Sequence, residues 1–498
     1  MDKFIDSVTS QKVCLDSLDE AITTTNIAFY YWYENAKHDT WDTFMPTTAM
    51  EQAFYIALCD FPLFAGGLVT DSNGRIFVQV EKSNLNMPVY TDTSCDVDFD
   101  TIKNAGFDTK LLNRSFDHAR DIPAPSRIIG GRIKLAQAHV IRLRDFSGVC
   151  LFVNIAHCLV DGIGYTAFVK RWAEVSQWLT KRQNGMSTAL SKREYIHDRS
   201  FISELWESGT DKLDSLTLES LSKGSVFAKF IAWMSPETRG TMLKLLVSMD
   251  KRINCYFHIP KERVDVLRAT VQDHTVKRMH CSINDVLTAA VASLLVQSMR
   301  AVDIDKQARL IPSALRLIFG KSKEPKEALV AVAVSMRPRV NRRDVFGYTG
   351  NMAIVRTMAV PLELVEEYPT PKTLAGIAEQ VRTTVSNTDA QYIGQYGGLT
   401  NSTPNGYVRL MMGIIEYRYQ VVVSNQFSFN HYDVDFGEGI PKLVRPALLS
   451  FPNCALVMPC HTDVGGFEIA MTLTPEVADK ILQNEHWMNL VDKCDCDV

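Results

Sequence analysis

The feature that most constrains this fold is a strand that runs into a helix through a glycine break. Val149 to Ala156 reads as a strand, His157 stands at its end, and Gly162-Ile163-Gly164 follows. A helix is predicted from about Tyr165 to Trp178, with Phe168, Trp172 and Val175 at helical spacing on one face. The preceding run, Leu135 to Leu143, is apolar mainly on one parity and is joined to Val149 through Asp145-Phe-Ser-Gly148, which makes the two a hairpin. Any fold built on this pattern holds His157 and Asp161 in a strand-to-helix turn.

The rest of the chain mixes strands and helices without regular alternation. In the first half a helix is expected from Thr48 to Cys59, closed by Phe61-Pro62. Strands at 68–69 and 76–80 flank Asn73-Gly74, a strong hairpin signal because both turn positions need positive φ. Lys181 to Lys229 is polar and irregular and reads as a crossover between halves. In the second half a strand at Ile253 to Ile259 precedes a helix after Pro260 and a helix capped by Ser282 with a wide apolar stripe. Strands are predicted at 328–336, 352–360, 420–424, 448–458 and 467–473, then a closing helix from Pro475 to Val491. This pattern argues α+β with mixed sheets rather than a parallel Rossmann-type sheet. The division expected is 1–185, a crossover at 186–230, and 231–498.

Composition removes several function classes. With 53 basic and 57 acidic residues the net charge is -4, so no chain-wide field draws it to nucleic acid. The longest apolar stretch, Ala328 to Val334, falls short of the roughly 20 residues that cross a bilayer, and no membrane partner is expected. The start has no secretory pattern. Eleven scattered cysteines without a C-x-x-C pair read as reduced thiols in a cytoplasmic protein, and no metal site is expected, Cys494 and Cys496 included. His431, His461 beside Cys460, and the His274 and His280 pair lack metal spacing and read as ordinary surface or core histidines. No Walker-type loop occurs, and Gly130-Gly131 is a turn signal only.

The sharpest chemical signal is His157-Cys-Leu-Val-Asp161-Gly162. A histidine at a strand terminus can present Nε2 to a cleft, and an ordinary pKa near ~6.5 lets the neutral ring accept a proton. It also reads as a satisfied structural histidine. Asp161 can orient the imidazole, or it can point away and pair with an arginine; the Gly162 break, which sends the chain away from the ring, favours the second.

These residues resemble a known family. The BAHD acyltransferases carry H-x-x-x-D-G near the middle and D-F-G-W-G toward the end, matched by His157 to Gly162 and by Asp435-Phe436-Gly437-Glu438-Gly439. Further matches keep the family's order: Leu15-Asp-Ser-Leu-Asp19, Leu58-x-x-Phe61-Pro62-x-x-Ala65-Gly66, Ser282-Ile-Asn284-Asp285-Val-Leu, and Val334-x-x-Arg337-x-Arg339 followed by Tyr348-x-Gly350-Asn351. The fungal branch, with the trichothecene acetyltransferases, is the nearest in wording.

The resemblance implies two lobes, each like a chloramphenicol acetyltransferase subunit, with a channel between them. It implies acyl transfer from acyl-coenzyme A, as donor substrate rather than bound cofactor, to a small-molecule hydroxyl or amine, by a monomer in secondary metabolism. His157 is then the general base, with no covalent enzyme intermediate, and Asp161, Gly162, Arg337, Asp435 and Gly437 are structural, Arg337 pairing with Asp161. Glu438 departs from the family's Trp, and Ser424-Asn425-Gln426 from its T-S-W or S-S-W. Those three residues read as strand-end polar groups or as donors to the developing oxyanion. The alternatives are a condensation-type domain using carrier-protein thioesters, whose H-H-x-x-x-D-G meets Ala156 here, and a non-catalytic binding protein on the same scaffold.

Overall fold

The computed structural model describes residues 1–20, 22–23, 25–72, 75–112, 133–186, 189–222, 226–235, 238, 251–276, 279–307, 325–365, 370–415, 417–447 and 453–496. The first half supplies β1 (Gln11–Cys14), β2 (Asn26–Glu34), β3 (Gly67–Thr70), β4 (Ile76–Val80), β5 (Val89–Ser94), β6 (Ala136–Arg142) and β7 (Gly148–Ala156). The second supplies β8 (Ile253–Ile259), β9 (Glu327–Ser335), β10 (Ala353–Pro361), β11 (Gln420–Asn425), β12 (Leu443–Pro446), β13 (Cys454–Pro459), β14 (Phe467–Leu473) and β15 (Lys493–Cys496).

Two mixed sheets carry the molecule. In the N-terminal lobe the order is β12-β2-β7-β6-β5, and in the C-terminal lobe β10-β9-β11-β13-β14-β8-β15; a small third sheet runs β1-β4-β3. Only β5 with β6 is parallel in the first, whereas β11 is parallel to both neighbours in the second. The expected α+β class with mixed sheets is therefore the observed one. Every residue of β7 is buried, which explains its uninterrupted apolar run: both faces of the sheet are covered. Helices Thr47–Leu58 and Gly162–Gln183 pack over it, and the fully buried Trp172 donates its indole N–H to Met50 O at 2.9 Å.

The lobes interlock. β12 leaves the second half to pair with β2, from Leu443 opposite Trp32 to Pro446 opposite Phe29. From β12, Arg445 reaches back to Glu468 on β14 and Asp495 on β15, each at 2.8 Å, and its guanidinium lies 4.2 Å from the Tyr256 ring centroid. The crossover is not irregular throughout. It forms short helices at Ser200–Ser203, Ser215–Ser222 and Val226–Trp233, because Phe201, Ile202, Leu213 and Leu221 bury into the second lobe's core despite their polar neighbours.

Other expectations are corrected too. The last helix breaks into Pro475–Leu482 and Glu485–Leu490, and the chain returns as β15, pairing with β8. Cys255 and Cys496 stand opposite each other there as a disulfide, so those two are not free thiols. The Ser282-capped helix runs from Ile283 to Gln307, and its Ile283–Asp303 stretch is long and apolar enough to cross a membrane, which the sequence reading excluded; 83% of its most apolar window is buried inside the protein, as in a core helix. β3 and β4 do pair as a hairpin, while Asn73 and Gly74, like Gly130 and Gly131, lie outside the described residues.

Removing Arg445 leaves the half-buried Glu468 carboxylate without its guanidinium, a loss at or below the low end of the about 3–5 kcal/mol that one partner of a fully buried pair costs. Arg445→Ala should therefore lower the melting temperature by several degrees in a thermal scan. An unchanged melting temperature would count against the clamp.

Candidate active site

β7 ends on Ala156, and the His157 N–H donates to Thr25 O at 2.9 Å, so the sheet's register places the next side chain. Asn351 Nδ2 donates to the His157 carbonyl at 2.8 Å and holds the far side of the peptide. The ring borders a cavity of about 1060 Å³ whose walls come from both lobes, among them Asn26, Phe29 and Asn154 on one side and Ser335, Asn351, Ser424 and Gln426 on the other. Nδ1 is sealed from solvent and finds no full hydrogen bond, which leaves Nε2 as the nitrogen for the cavity. Burial lowers the imidazole below its ordinary value, opposed by the carbonyls of His157 and Val160 and by the Asp161 and Asp19 carboxylates. A neutral ring with one bare nitrogen facing a cavity can accept a proton.

The Asp161 carboxylate does not orient that ring. It caps the Gly162–Gln183 helix by accepting from Gly164 N at 3.0 Å, accepts from Met352 N at 3.1 Å, and forms a buried ion pair with Arg337. The remaining Arg337 donors go to the carbonyls of Val345, Tyr348 and Gly350 at 3.2, 2.9 and 3.3 Å. Asp161 and Arg337 are 6% and 2% exposed, so each is the other's only charge neutraliser at close range among the described residues. Gly162 is required by contact across the lobes: a Cβ there would stand 2.1 Å from the Phe429 ring.

A second buried pair lies behind the first, and sequence reasoning missed it. Asp19 accepts from Asn351 Nδ2 at 2.6 Å and faces Arg199 Nε at 2.8 Å, while Arg199 also donates to Leu159 O at 2.7 Å. Asp19 and Asn351 sat inside quoted motifs, as the last residues of L-D-S-L-D and Y-T-G-N. Arg199 had no local signal in the crossover. His197 ties the same segment to both lobes, through Asp60 O at 2.8 Å and Thr349 Oγ1 at 2.9 Å.

The second motif lies apart from the cavity walls. Asp435 accepts from the N–H groups of Gly437 and Gly439 at 2.7 and 2.9 Å, and Gly437 takes φ +112°, which a side chain would strain. Phe436 inserts edge-on against Trp172 at 5.2 Å, and the Asp435 carbonyl accepts from Gln177 at 2.6 Å. The loop therefore braces the helix that Asp161 caps. Glu438 is exposed; its partial desolvation, with Asp39 and Asp435 nearby, raises its carboxyl pKa.

At the end of β11, Ser424, Asn425 and Gln426 all line the cavity. Asn425 spends its amide N–H groups on Asn284 and on Thr288 Oγ1, and Gln426 Oε1 meets His431 Nε2 at 2.9 Å. His431 is a core histidine, whereas His461 is exposed and stacks on Tyr432. Among the described residues no cluster of three or more His, Cys, Asp or Glu side chains could hold a metal ion.

Two sheets meeting across a cavity, with a histidine at the end of a central strand, are the frame of the two-lobed chloramphenicol-acetyltransferase-like fold. The Transferase family model matches residues 316–488, and the resemblance to the BAHD acyltransferases drawn from the motifs is borne out. TRI101 of F. sporotrichioides, solved with coenzyme A and T-2, superposes with a TM-score of 0.68 at 14% identity, covering 97% of this chain and 99% of that one. Vinorine synthase follows at 0.59 and 15%, covering 97% and 98%. The first condensation domain of the CDA synthetase reaches 0.54 at 14%, covering 97% and 95%. In sequence, the chain is 22% identical over 391 residues to the isocyanide synthase-NRPS hybrid crmA of Aspergillus fumigatus, spanning 70% of this chain but 24% of that protein. It is 22% identical over 175 residues to a malonyl-coenzyme:anthocyanin 5-O-glucoside-6'''-O-malonyltransferase of Salvia splendens, spanning 34% of this chain and 37% of that one.

Asp161→Ala leaves Arg337 buried without a countercharge and uncaps a helix, a combined loss of about 3–5 kcal/mol. Thermal or urea unfolding should show it, and an unchanged midpoint would contradict the pairing. Burial pushes His431 down to about 3 and His197 to about 4. Both stay neutral in the fold while the unfolded chain takes up protons below ~6.5, so stability is full above that pH and falls as pH drops toward the folded values. Between pH 6.5 and 5 each should remove about 2 kcal/mol, read as a falling urea midpoint.

Proposed function

We propose that this chain transfers an acyl group from acyl-coenzyme A to a hydroxyl or amine of a small molecule in secondary metabolism, through a ternary complex with His157 as general base. The observation that carries the proposal is the separation of roles at one turn: His157 keeps a bare ring nitrogen toward the cavity while Asp161 is committed to Arg337. The coenzyme A in the TRI101 structures and the malonyl-coenzyme donor of the Salvia enzyme support the donor class. That donor's pool makes the cytoplasm the expected compartment. The protein is proposed to act as a monomer.

In this reading Nε2 takes the acceptor's proton as its oxygen or nitrogen bonds to the thioester carbonyl carbon. The carbonyl electrons move onto oxygen, and the stretch at Ser424 to Gln426 supplies donors to that oxyanion. Collapse breaks the carbon–sulfur bond, and the imidazolium returns its proton to the thiolate, which releases the ester or amide and free coenzyme A. Asp161 and Arg337 act only by holding the turn.

A second reading keeps the chemistry and changes the donor's carrier to a protein-bound pantetheine thioester. The crmA and condensation-domain likenesses favour it; Ala156, where such domains have a second histidine, does not. Incubation with acyl-coenzyme A and a panel of alcohols and amines, with titration of the freed thiol, separates the two, because only the first reading gives free thiol without a carrier protein. His157→Ala should abolish release and keep the wild-type melting temperature; unchanged turnover would end the proposal. Since burial lowers the His157 pKa, kcat/KM should hold its plateau to below pH 6.5 before the acid limb falls.

A further inference from the structure

Of the polar residues at the end of β11, Asn425 and Gln426 are not equivalent, and their partners decide what each can give a ligand. Asn425 has both amide hydrogens directed at Asn284 and Thr288, and its Oδ1 is buried without a partner, so it has an acceptor and no donor to offer. An oxygen gathering negative charge gains nothing from an acceptor. Gln426 is arranged the other way. Its backbone N–H is fixed to Val457 O at 2.9 Å, its Oε1 is taken by His431, and no described protein group accepts from its Nε2.

We propose that Gln426 donates from Nε2 to the developing oxyanion of the transferred acyl group, and that His431 is the positioning residue that turns the Gln426 amide so that this nitrogen, not the oxygen, faces the cavity. The proposal rests on the acyl-transfer reading above. A glutamine amide can present either end, and a flip would set a carbonyl oxygen against the oxyanion. His431 removes that choice only while its Nε2 carries the proton. Its surroundings supply the condition. The ring is buried between Phe29, with centroids 4.4 Å apart, and Phe429 at 5.9 Å, so it cannot rotate to another partner. The Tyr31 hydroxyl meets the Tyr165 hydroxyl and also lies 3.5 Å from Nδ1; when it donates there, the hydrogen of the neutral ring is on Nε2. Tyr165 is the other titratable group packed on the ring, and the Lys170 ammonium acts with burial to keep the imidazole uncharged. Tyr31, His431 and Gln426 thus form a chain of donors pointing one way, from the first lobe's core into the cavity.

The test is a double-mutant cycle with a spectroscopic arm. Gln426→Leu should lower kcat by about 100-fold with little change in KM, the size of a lost oxyanion donor. His431→Phe fills the ring's space without a donor and should lower kcat by about 10-fold or more while the melting temperature holds, and His431→Gln, which keeps an N–H, should stay within about 3-fold of wild type. The double variant Gln426→Leu/His431→Phe should be no slower than Gln426→Leu alone, since His431 works through Gln426. Nitrogen-15 spectra of histidine-labelled protein should show His431 neutral with hydrogen on Nε2 from pH 5 to 8. Additive losses, full activity in His431→Phe, or hydrogen on Nδ1 would overturn the assignment. If wild-type protein frees no thiol from acyl-coenzyme A, the acyl-transfer reading and with it Gln426's role fail, while the spectra still decide His431's tautomer.

Discussion

The site depends on one buried ion pair that crosses from lobe to lobe. Asp161 belongs to the turn after β7 and Arg337 follows β9, so their contact fixes the first lobe's His157 turn to the second lobe's sheet. Two charges removed from water are costly unless every lone pair and N–H finds a partner. Here both carboxylate oxygens accept from backbone as well as from the guanidinium, and the guanidinium's remaining N–H groups find carbonyls. The pair's worth is positional: it determines where His157 stands relative to the wall that faces it.

The crossover adds a second layer of the same kind. Arg199 and His197 lie in a segment whose composition reads as a connector, yet Arg199 neutralises Asp19 and grips Leu159 O, and His197 bridges Asp60 and Thr349. A linker only has to span a distance, whereas this one fills the space behind His157. The D-F-G loop does comparable work from the opposite side of the Gly162–Gln183 helix through Phe436 and Gln177. Helix, turn and histidine are thereby held on three sides.

What the sequence disclosed follows from how local each signal is. The turn at His157 is written in consecutive residues, and the strands β6, β7, β8 and β14 in parity and apolar runs, so both were legible. β2 was not, because Asn26 to Glu34 is aromatic at nearly every central position and shows no alternation. β12 and β15 are four residues long and acquire their identity from the strands they join. The Asp19–Arg199 pair and the orientation of the Gln426 amide are three-dimensional facts: 180 residues separate the first two, and an amide's facing is set by a neighbouring ring's tautomer.

The placement of β12 has a consequence for the order in which this polypeptide can mature during synthesis. At about 5–20 residues per second, the first lobe leaves the ribosome on the order of tens of seconds before the segment that completes its sheet. Throughout that interval the outer edge of β2 offers bare N–H and C=O groups beside a row of aromatics, a surface that pairs readily with strangers. The nascent chain therefore needs either shelter by a chaperone or slow docking of its own early half, and overproduction in a host that translates quickly should fill inclusion bodies with a half-built sheet.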